Sequence, residues 1–465
     1  MIELPVLNGS PESRNTRYKF SRYNQICSDQ AGKILFNGIT SAMARMDEAS
    51  WARLQELRKT GLVDFANPTD AKLIAGRFLV PADLDETAHL KNLHLSARYR
   101  TSHWNLTLCP TIACNFRCDY CFEVHKPGKM LPEVQDALVQ ALHSRIRTLS
   151  SFQVTWYGGE PTLAWDVVVS LSRRFIEICD SHGVEYSASM ISNAYLLDSC
   201  KVRQLDELRI SVVQVTLDGD ASQHDTRRIL LSGKGTFEQI TDNLKHFEGI
   251  HGRAVIRVNV DTRNKDGVHD LLDRLKEKGL HQRKNISIYF AAVGTTTEPT
   301  HGVSGFCMSR RDFAHLEPEF YEHALRLGMS ALPYPSASFS SCIAARPDGF
   351  VVQPDGSLHK CWDTVGQDQY AVGHLLRPAS AEEQSNYSRW MAWDPFNPDL
   401  ACSSCSWLPS CMGGCPLKVV YPEMSPDHQI HLECTTFKYN SKTTLPMFAG
   451  HAASGGQVQG GRPRE

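Results

Sequence analysis

Residues 105–121 read Asn105-Leu-Thr-Leu-Cys109-Pro-Thr-Ile-Ala-Cys114-Asn-Phe-Arg-Cys118-Asp-Tyr-Cys121. An apolar, strand-forming run ends in three cysteines spaced C-x3-C-x2-C. Three thiolates within so short a span can wrap one compact metal site. An iron–sulfur cube held by three cysteines keeps one iron open to an outside ligand. Unligated buried thiols, or a zinc site completed by His125, are the alternatives at this point.

Downstream of this run, strand-like and amphipathic helical segments alternate. Strands are predicted at Asn105–Thr111, Gln153–Tyr157, Tyr186–Ile191, Ser211–Leu217, Ala254–Val260 and Ile286–Phe290. Helices are predicted between them, over Leu131–Leu149, Ala164–Cys179, Asp198–Leu208, Thr236–Phe247 and Gly267–Lys278. Such alternation implies an α/β fold with a parallel sheet, open or barrel-like. Chemistry in that class sits just past the carboxyl ends of the strands. The cysteine triplet, Trp156-Tyr-Gly-Gly-Glu-Pro161, Ser192-Asn193 and Thr216-Leu-Asp218-Gly219 all fall there.

Two regions flank this one. Residues 1–102 hold no clustered cysteine and show short helical patterns at Ala49–Lys59, at Thr69–Ala75 and from Ala82. They suit a small α+β cap or a peptide-docking module. Residues 301–440 open on a helical run, Arg311–Gly328, and then become rich in cysteine and poor in periodicity. Residues 441–465 are Gly-, Ser- and Gln-rich toward the end and are expected to be disordered.

Composition narrows the function. The 465 residues carry 49 Lys plus Arg against 51 Asp plus Glu, so no net charge draws the chain to nucleic acid or an acidic membrane. No apolar run approaches the ~18–20 residues of a membrane span, and Met1 to Arg22 lack a signal-peptide core, so a cytoplasmic protein is expected. Fifteen cysteines in such a chain point to metal or redox ligands rather than a disulfide framework.

Cys114, Cys118 and Cys121, followed by Gly158-Gly159-Glu160, resemble the hallmark motifs of the radical S-adenosylmethionine (SAM) superfamily. The resemblance covers roughly residues 103–435 and implies a partial (βα)6 TIM-type barrel at 103–300. It implies a [4Fe–4S] cluster on the triplet, with SAM on the open iron. That cofactor pair yields a 5′-deoxyadenosyl radical that takes hydrogen from a substrate C–H bond. The implied SAM contacts are Tyr120, the carbonyls of Gly158 and Gly159 with Glu160 nearby, Ser192, Asn193 and Thr216. Arg228 or Arg257 would pair with the SAM carboxylate. Ala194 stands where the family more often has glycine.

The third region reads Cys342-x13-Gly356-x4-Cys361, Cys402-x2-Cys405-x5-Cys411-x3-Cys415 and Cys434. As a bare motif this also permits a zinc ribbon. In context it is similar to the SPASM extension, which implies two auxiliary [4Fe–4S] clusters. Cys342, Cys361 and Cys415 would hold the first; Cys402, Cys405, Cys411 and Cys434 would hold the second. Seven thiolates leave one iron open or completed by a group such as Asp348. Five cysteines remain, Cys27 among them; Cys109, Cys179 and Cys200 are expected to be structural, and Cys307 lies where barrel and extension meet.

Within that family two substrate classes compete. Peptide maturases crosslink or epimerise a ribosomally made precursor, and residues 1–102 resemble their winged-helix-like extension, which docks a leader peptide by strand addition. Sulfatase maturases place an Asp directly after the cysteine equivalent to Cys361. Here that Asp is Asp363, one position late, and on extended backbone the shift turns it to the other face. Asp218, Asp363 and His224 are the acid/base candidates. A one-electron reductant such as flavodoxin or ferredoxin is the implied partner. A zinc-binding scaffold without catalysis is the reading from another class.

Overall fold

The computed structural model describes residues 17–453, apart from 296, 332–333, 341 and 425–433. Chain order begins with β1 (Tyr18–Phe20), β2 (Asn24–Asp29), β3 (Gly32–Asn37), β4 (Met43–Met46), α1 (Glu48–Thr60), α2 (Pro68–Ala75), β5 (Leu79–Pro81) and α3 (Glu86–Arg98). Strands β2, β3 and β4 form an antiparallel meander, and β1 pairs with β5. Each helix has a built start: Asp47, Asn67 and Asp85 accept the first free backbone N–H groups. A small core of Leu35, Leu54, Leu57, Leu73 and Phe78 closes the module.

The central region follows as β6 (His103–Leu108), β7 (Phe116–Cys118), α4 (Pro132–Arg145), β8 (Ser151–Trp156), α5 (Trp165–Ser181), β9 (Glu185–Ser192), α6 (Ser199–Glu207), β10 (Ile210–Thr216), α7 (Ala221–Arg227), β11 (Arg228–Leu230), α8 (Phe237–Leu244), β12 (Arg253–Val260), α9 (Val268–Glu277) and β13 (Ile286–Ala292). The six expected strands pair in parallel, side by side, in the order β6-β8-β9-β10-β12-β13. The region is a partial α/β barrel. The apolar faces of α4, α5, α8 and α9 pack onto the sheet through residues such as Leu138, Phe175, Ile240 and Leu271.

The last region comprises α10 (Arg310–Arg326), β14 (Phe350–Val352), β15 (Ser357–His359), β16 (Gly373–His374), α11 (Ala381–Met391), α12 (Leu408–Cys411), α13 (Leu417–Val420) and α14 (Phe437–Ala453). It does not stand apart. Strand β14 pairs in parallel with β6, and β15 and β16 extend the barrel sheet to nine strands. Helix α14 corrects the expectation of disorder from residue 441. It runs to Ala453 because Leu445 and Phe448 bury against α10 and the N-terminal meander. Residues 454–465 lie outside the described residues. Among the described residues no helix is long and apolar enough to cross a membrane.

Candidate functional site

The cysteine loop leaves β6 and returns as β7, which pairs antiparallel with β11 so that Cys118 faces Arg228. Opposite it, the turn after β8 comes so close that a Cβ on Gly158 would lie 2.2 Å from the Thr111 carbonyl oxygen, and one on Gly159 2.4 Å from that of Ala113. The glycines are therefore required by the cysteine loop itself, which the Glu160 N–H also holds through Ala113 O (2.9 Å). The Glu160 carboxylate is fully enclosed. It accepts from Thr162 N, Thr162 Oγ1, Ser192 Oγ and Asn193 N at 2.5–3.0 Å. It staples the ends of β8 and β9 together, directly behind Gly158 and Gly159, which line the cavity.

Tyr120 is the hub of the barrel mouth. Its hydroxyl donates to the Asp218 carboxylate and accepts from Arg228 (2.7 Å) and Asn259 Nδ2 (3.2 Å). Asp218 also accepts from Asn259 N at 3.0 Å and has no exposed surface. His224 is likewise enclosed, between the Asp218 N–H and Thr236 Oγ1. Of the acid/base candidates, Asp218 and His224 do not reach the cavity; both shape groups that do. Arg228 reaches it beside Cys118. Arg257 lies one strand over, bonded to Asn259 Oδ1 (2.7 Å) and near Tyr289 OH (3.4 Å). Ser192, Asn193 and Thr216 line the cavity, and Asn193 Nδ2 donates to Asn115 Oδ1 at 2.8 Å.

The cavity is about 650 Å³. Cys114, Cys118 and Cys121 line one part, and Cys342, Cys361 and Cys415 line another. Cys402, Cys405, Cys411 and Cys434 gather around a second, smaller pocket. Among the described residues none of these ten cysteines is in a disulfide. Burial pushes the Cys114 thiol up to about 12 and raises Cys361 well above its ordinary value, because a thiolate is poorly solvated there. His125 Nε2 lies 3.6 Å from Cys121 Sγ. Among the described residues no three His, Cys, Asp or Glu groups converge on a single-ion site. Thiols spread around a cavity suit a multinuclear cluster instead.

Asp363 lines the cavity, because Trp362–Thr364 is a 3-10 turn rather than extended backbone. The one-residue offset therefore does not turn it away. Trp362 stacks on Tyr157 (5.0 Å) and donates to Thr107 Oγ1. Asp348 does not reach the cavity; Arg145 (2.7 Å) and Arg346 (3.3 Å) hold it. One cavity carboxyl was missed from the sequence. Burial pushes Glu123 up to about 7 beside Tyr157, and its Oε2 has no partner. Its place two residues past the last cysteine was the available signal.

Residues 108–285 match the Radical SAM superfamily. The chain is 22% identical over 328 residues to a cysteine-type anaerobic sulfatase-maturating enzyme of Clostridium novyi, covering 65% of this chain and 84% of that protein. The solved structure of native anSMEcpe with bound AdoMet superposes with a TM-score of 0.57 at 20% identity, over 75% of this chain and 99% of that one. Streptococcus suis SuiB bound to its precursor peptide SuiA gives 0.49 at 16% identity, over 90% and 99%. A Radical SAM domain implies a [4Fe–4S] cluster and SAM, and the cysteine loop and its glycine turn fit them. The chain carries a Radical SAM domain over residues 108–285 and is similar in sequence and fold to anaerobic sulfatase-maturating enzymes.

Proposed function

We propose that the protein modifies a ribosomally made precursor peptide, forming a thioether or C–C crosslink or epimerising a residue. The observation that carries this reading is the single cavity reaching from Cys114–Cys121 to Cys342, Cys361 and Cys415. A substrate segment held there lies between two redox-capable cysteine groups. The [4Fe–4S] cluster and SAM supply a hydrogen-abstracting radical when bound. Cys114, Cys118 and Cys121 would hold the cluster. Arg228, set by Tyr120, would take the SAM carboxylate, and Ser192, Asn193 and Thr216 would hold the rest of that cofactor. Cys342, Cys361 and Cys415 would hold one auxiliary cluster, and Cys402, Cys405, Cys411 and Cys434 the other. Asp363 is the cavity group placed to accept a proton. The N-terminal meander offers strand edges to a leader peptide, and a flavodoxin or ferredoxin in the cytoplasm would supply electrons.

The sulfatase-maturase reading stays second, favoured by Asp363 in the cavity and by the Clostridium novyi relative. Anaerobic co-expression with a neighbouring short reading frame, followed by intact mass and tandem fragmentation, separates the two. Loss of two hydrogens at a mapped residue pair, or deuterium uptake at one residue from heavy water, is expected. An unchanged precursor together with an aldehyde in a sulfatase-derived peptide would overturn the first reading.

A further inference from the structure

The segment after Cys342 is wrapped in buried cations. Arg98, the last residue of α3, donates to three carbonyls: Ala345 (2.8 Å), Trp393 (2.7 Å) and Met391 (2.8 Å). Arg346 reaches back to the carbonyls of Ala97 (3.1 Å), Arg100 (2.7 Å) and His103 (2.8 Å). Lys360, beside Cys361, donates to the carbonyls of Arg346 (2.6 Å), Pro347 (3.2 Å) and Gly349 (2.8 Å). Its ammonium lies 4.1 Å from the Phe350 ring and 5.0 Å from the Tyr387 ring. All three residues are at most 7% exposed.

Carbonyl dipoles solvate these charges but do not neutralise them. One carboxylate, Asp348, serves Arg346 and is shared with Arg145. Among the described residues Arg98 and Lys360 form no ion pair with a carboxylate. Asp363 faces Cys361 from the cavity side and is the opposing charge there. Burying cations with so little counter-charge is costly unless negative charge sits nearby. The thiolates of Cys342, Cys361 and Cys415 would supply it. At the second cysteine group, among the described residues, Lys438 Nζ contacts Cys434 Sγ (3.4 Å) and is itself exposed.

We propose that Arg98, Arg346 and Lys360 are positioning residues that raise the reduction potential of the first auxiliary cluster, making that site the readier of the two to take an electron. Adding an electron adds negative charge, and fixed cations favour the charged form. The proposal rests on the auxiliary-cluster reading above.

The test uses the full chain, reconstituted anaerobically, in a Cys114/Cys118/Cys121→Ala background so that only auxiliary signals remain. Iron and sulfide are counted first, then midpoint potentials are read by electron paramagnetic resonance. Arg98→Gln is expected to keep its iron and to lower one potential by about tenfold in the one-electron equilibrium constant, ~59 mV. Arg98→Lys is expected to restore most of it. An unchanged potential in Arg98→Gln, or an equal fall in Arg98→Lys, overturns the proposal. Should Arg98→Gln lose iron, Lys360→Gln is read by the same criteria. Background protein that binds no iron overturns the auxiliary-cluster reading itself, and the proposal with it.

Discussion

The barrel and the C-terminal extension hold cysteines by different means. In the barrel, Cys114–Cys121 hang from strand β6, are pinned by β11, and are braced by the glycine turn after β8. Backbone pairing, of the parallel sheet and of the separate antiparallel β7–β11 ladder, sets most of that geometry. In the extension, the Cys342 and Cys361 segments are irregular, and side-chain cations reaching backbone carbonyls do much of the holding. A site built on strand ends tolerates change around it; a site built on charge-to-carbonyl contacts ties its redox behaviour to its scaffold. The N-terminal module belongs to the second kind. Arg98, His94 (to Phe339 O) and Ser41 (to Ala337 N) all reach the chain leading to or following Cys342.

The largest expected effect separates the two sites. Cys118→Ala should abolish 5′-deoxyadenosine formation while the auxiliary iron stays bound. Cys361→Ala should leave SAM cleavage detectable but yield no modified peptide. Chromatographic assay of 5′-deoxyadenosine beside iron analysis checks both. If Cys361→Ala also ends SAM cleavage, the two sites are one unit and the comparison breaks.

Acid sharpens it next. His359 is fully buried between Gln353 and Thr364, and burial lowers its pKa to about 4. The folded state resists protonation that the unfolded chain accepts near ~6.5. The stabilisation is therefore complete above that value and is lost as pH falls toward 4, by about 3 kcal/mol across the window. Denaturant midpoints at pH 7.5 and 4.5 should diverge less in His359→Gln than in the parent. Equal divergence would place the acid sensitivity elsewhere.

In the barrel, Tyr120→Phe removes the hydroxyl that joins Asp218, Arg228 and Asn259. Arg228 loses its 2.7 Å anchor, and buried Asp218 loses a donor. SAM affinity should fall about tenfold, the cost of one charge-assisted hydrogen bond. Equilibrium dialysis measures it; an unchanged affinity would show that Arg228 is set by β11 alone.

Much of the barrel was legible in the sequence because its strands and helices carry clean two- and 3.6-residue periods. The motifs could then be placed by the rule that sites follow strand ends. Strands β7 and β11 were not legible: three residues each show no period, and only their pairing defines them. Strand β14 was hidden for the same reason, since Phe350–Val352 joins a partner more than two hundred residues earlier. Helix α14 was obscured by the Gly- and Ser-rich end that follows it. Arg98 looked like an ordinary basic residue at a helix C-terminus, where charge favours the dipole; nothing local marks it as buried.

Ala194 carries the smallest effect and the finest comparison. The sequence departs there from glycine, and the backbone nevertheless adopts φ 58°. An L-residue in this left-handed region costs roughly 1–2 kcal/mol. Three hydrogen bonds offset the cost: Ala194 N to Ser192 Oγ (2.9 Å), and Asn243 Nδ2 to the carbonyls of Ala194 (2.8 Å) and Tyr195 (2.9 Å). The Ala194 side chain is also buried, so glycine would relieve the backbone but forfeit a packed methyl worth ~0.8 kcal/mol. Ala194→Gly should therefore change stability by less than about 1 kcal/mol, while Asn243→Ala should destabilise by more, because it removes the Asn243 donor from the Tyr195 carbonyl and leaves the Ala194 carbonyl only its longer bond from Leu197 N (3.3 Å). If Asn243→Ala is neutral in the parent, the turn is held by Ser192 and the Glu160 staple. The barrel mouth would then owe its shape to side chains as much as the extension does.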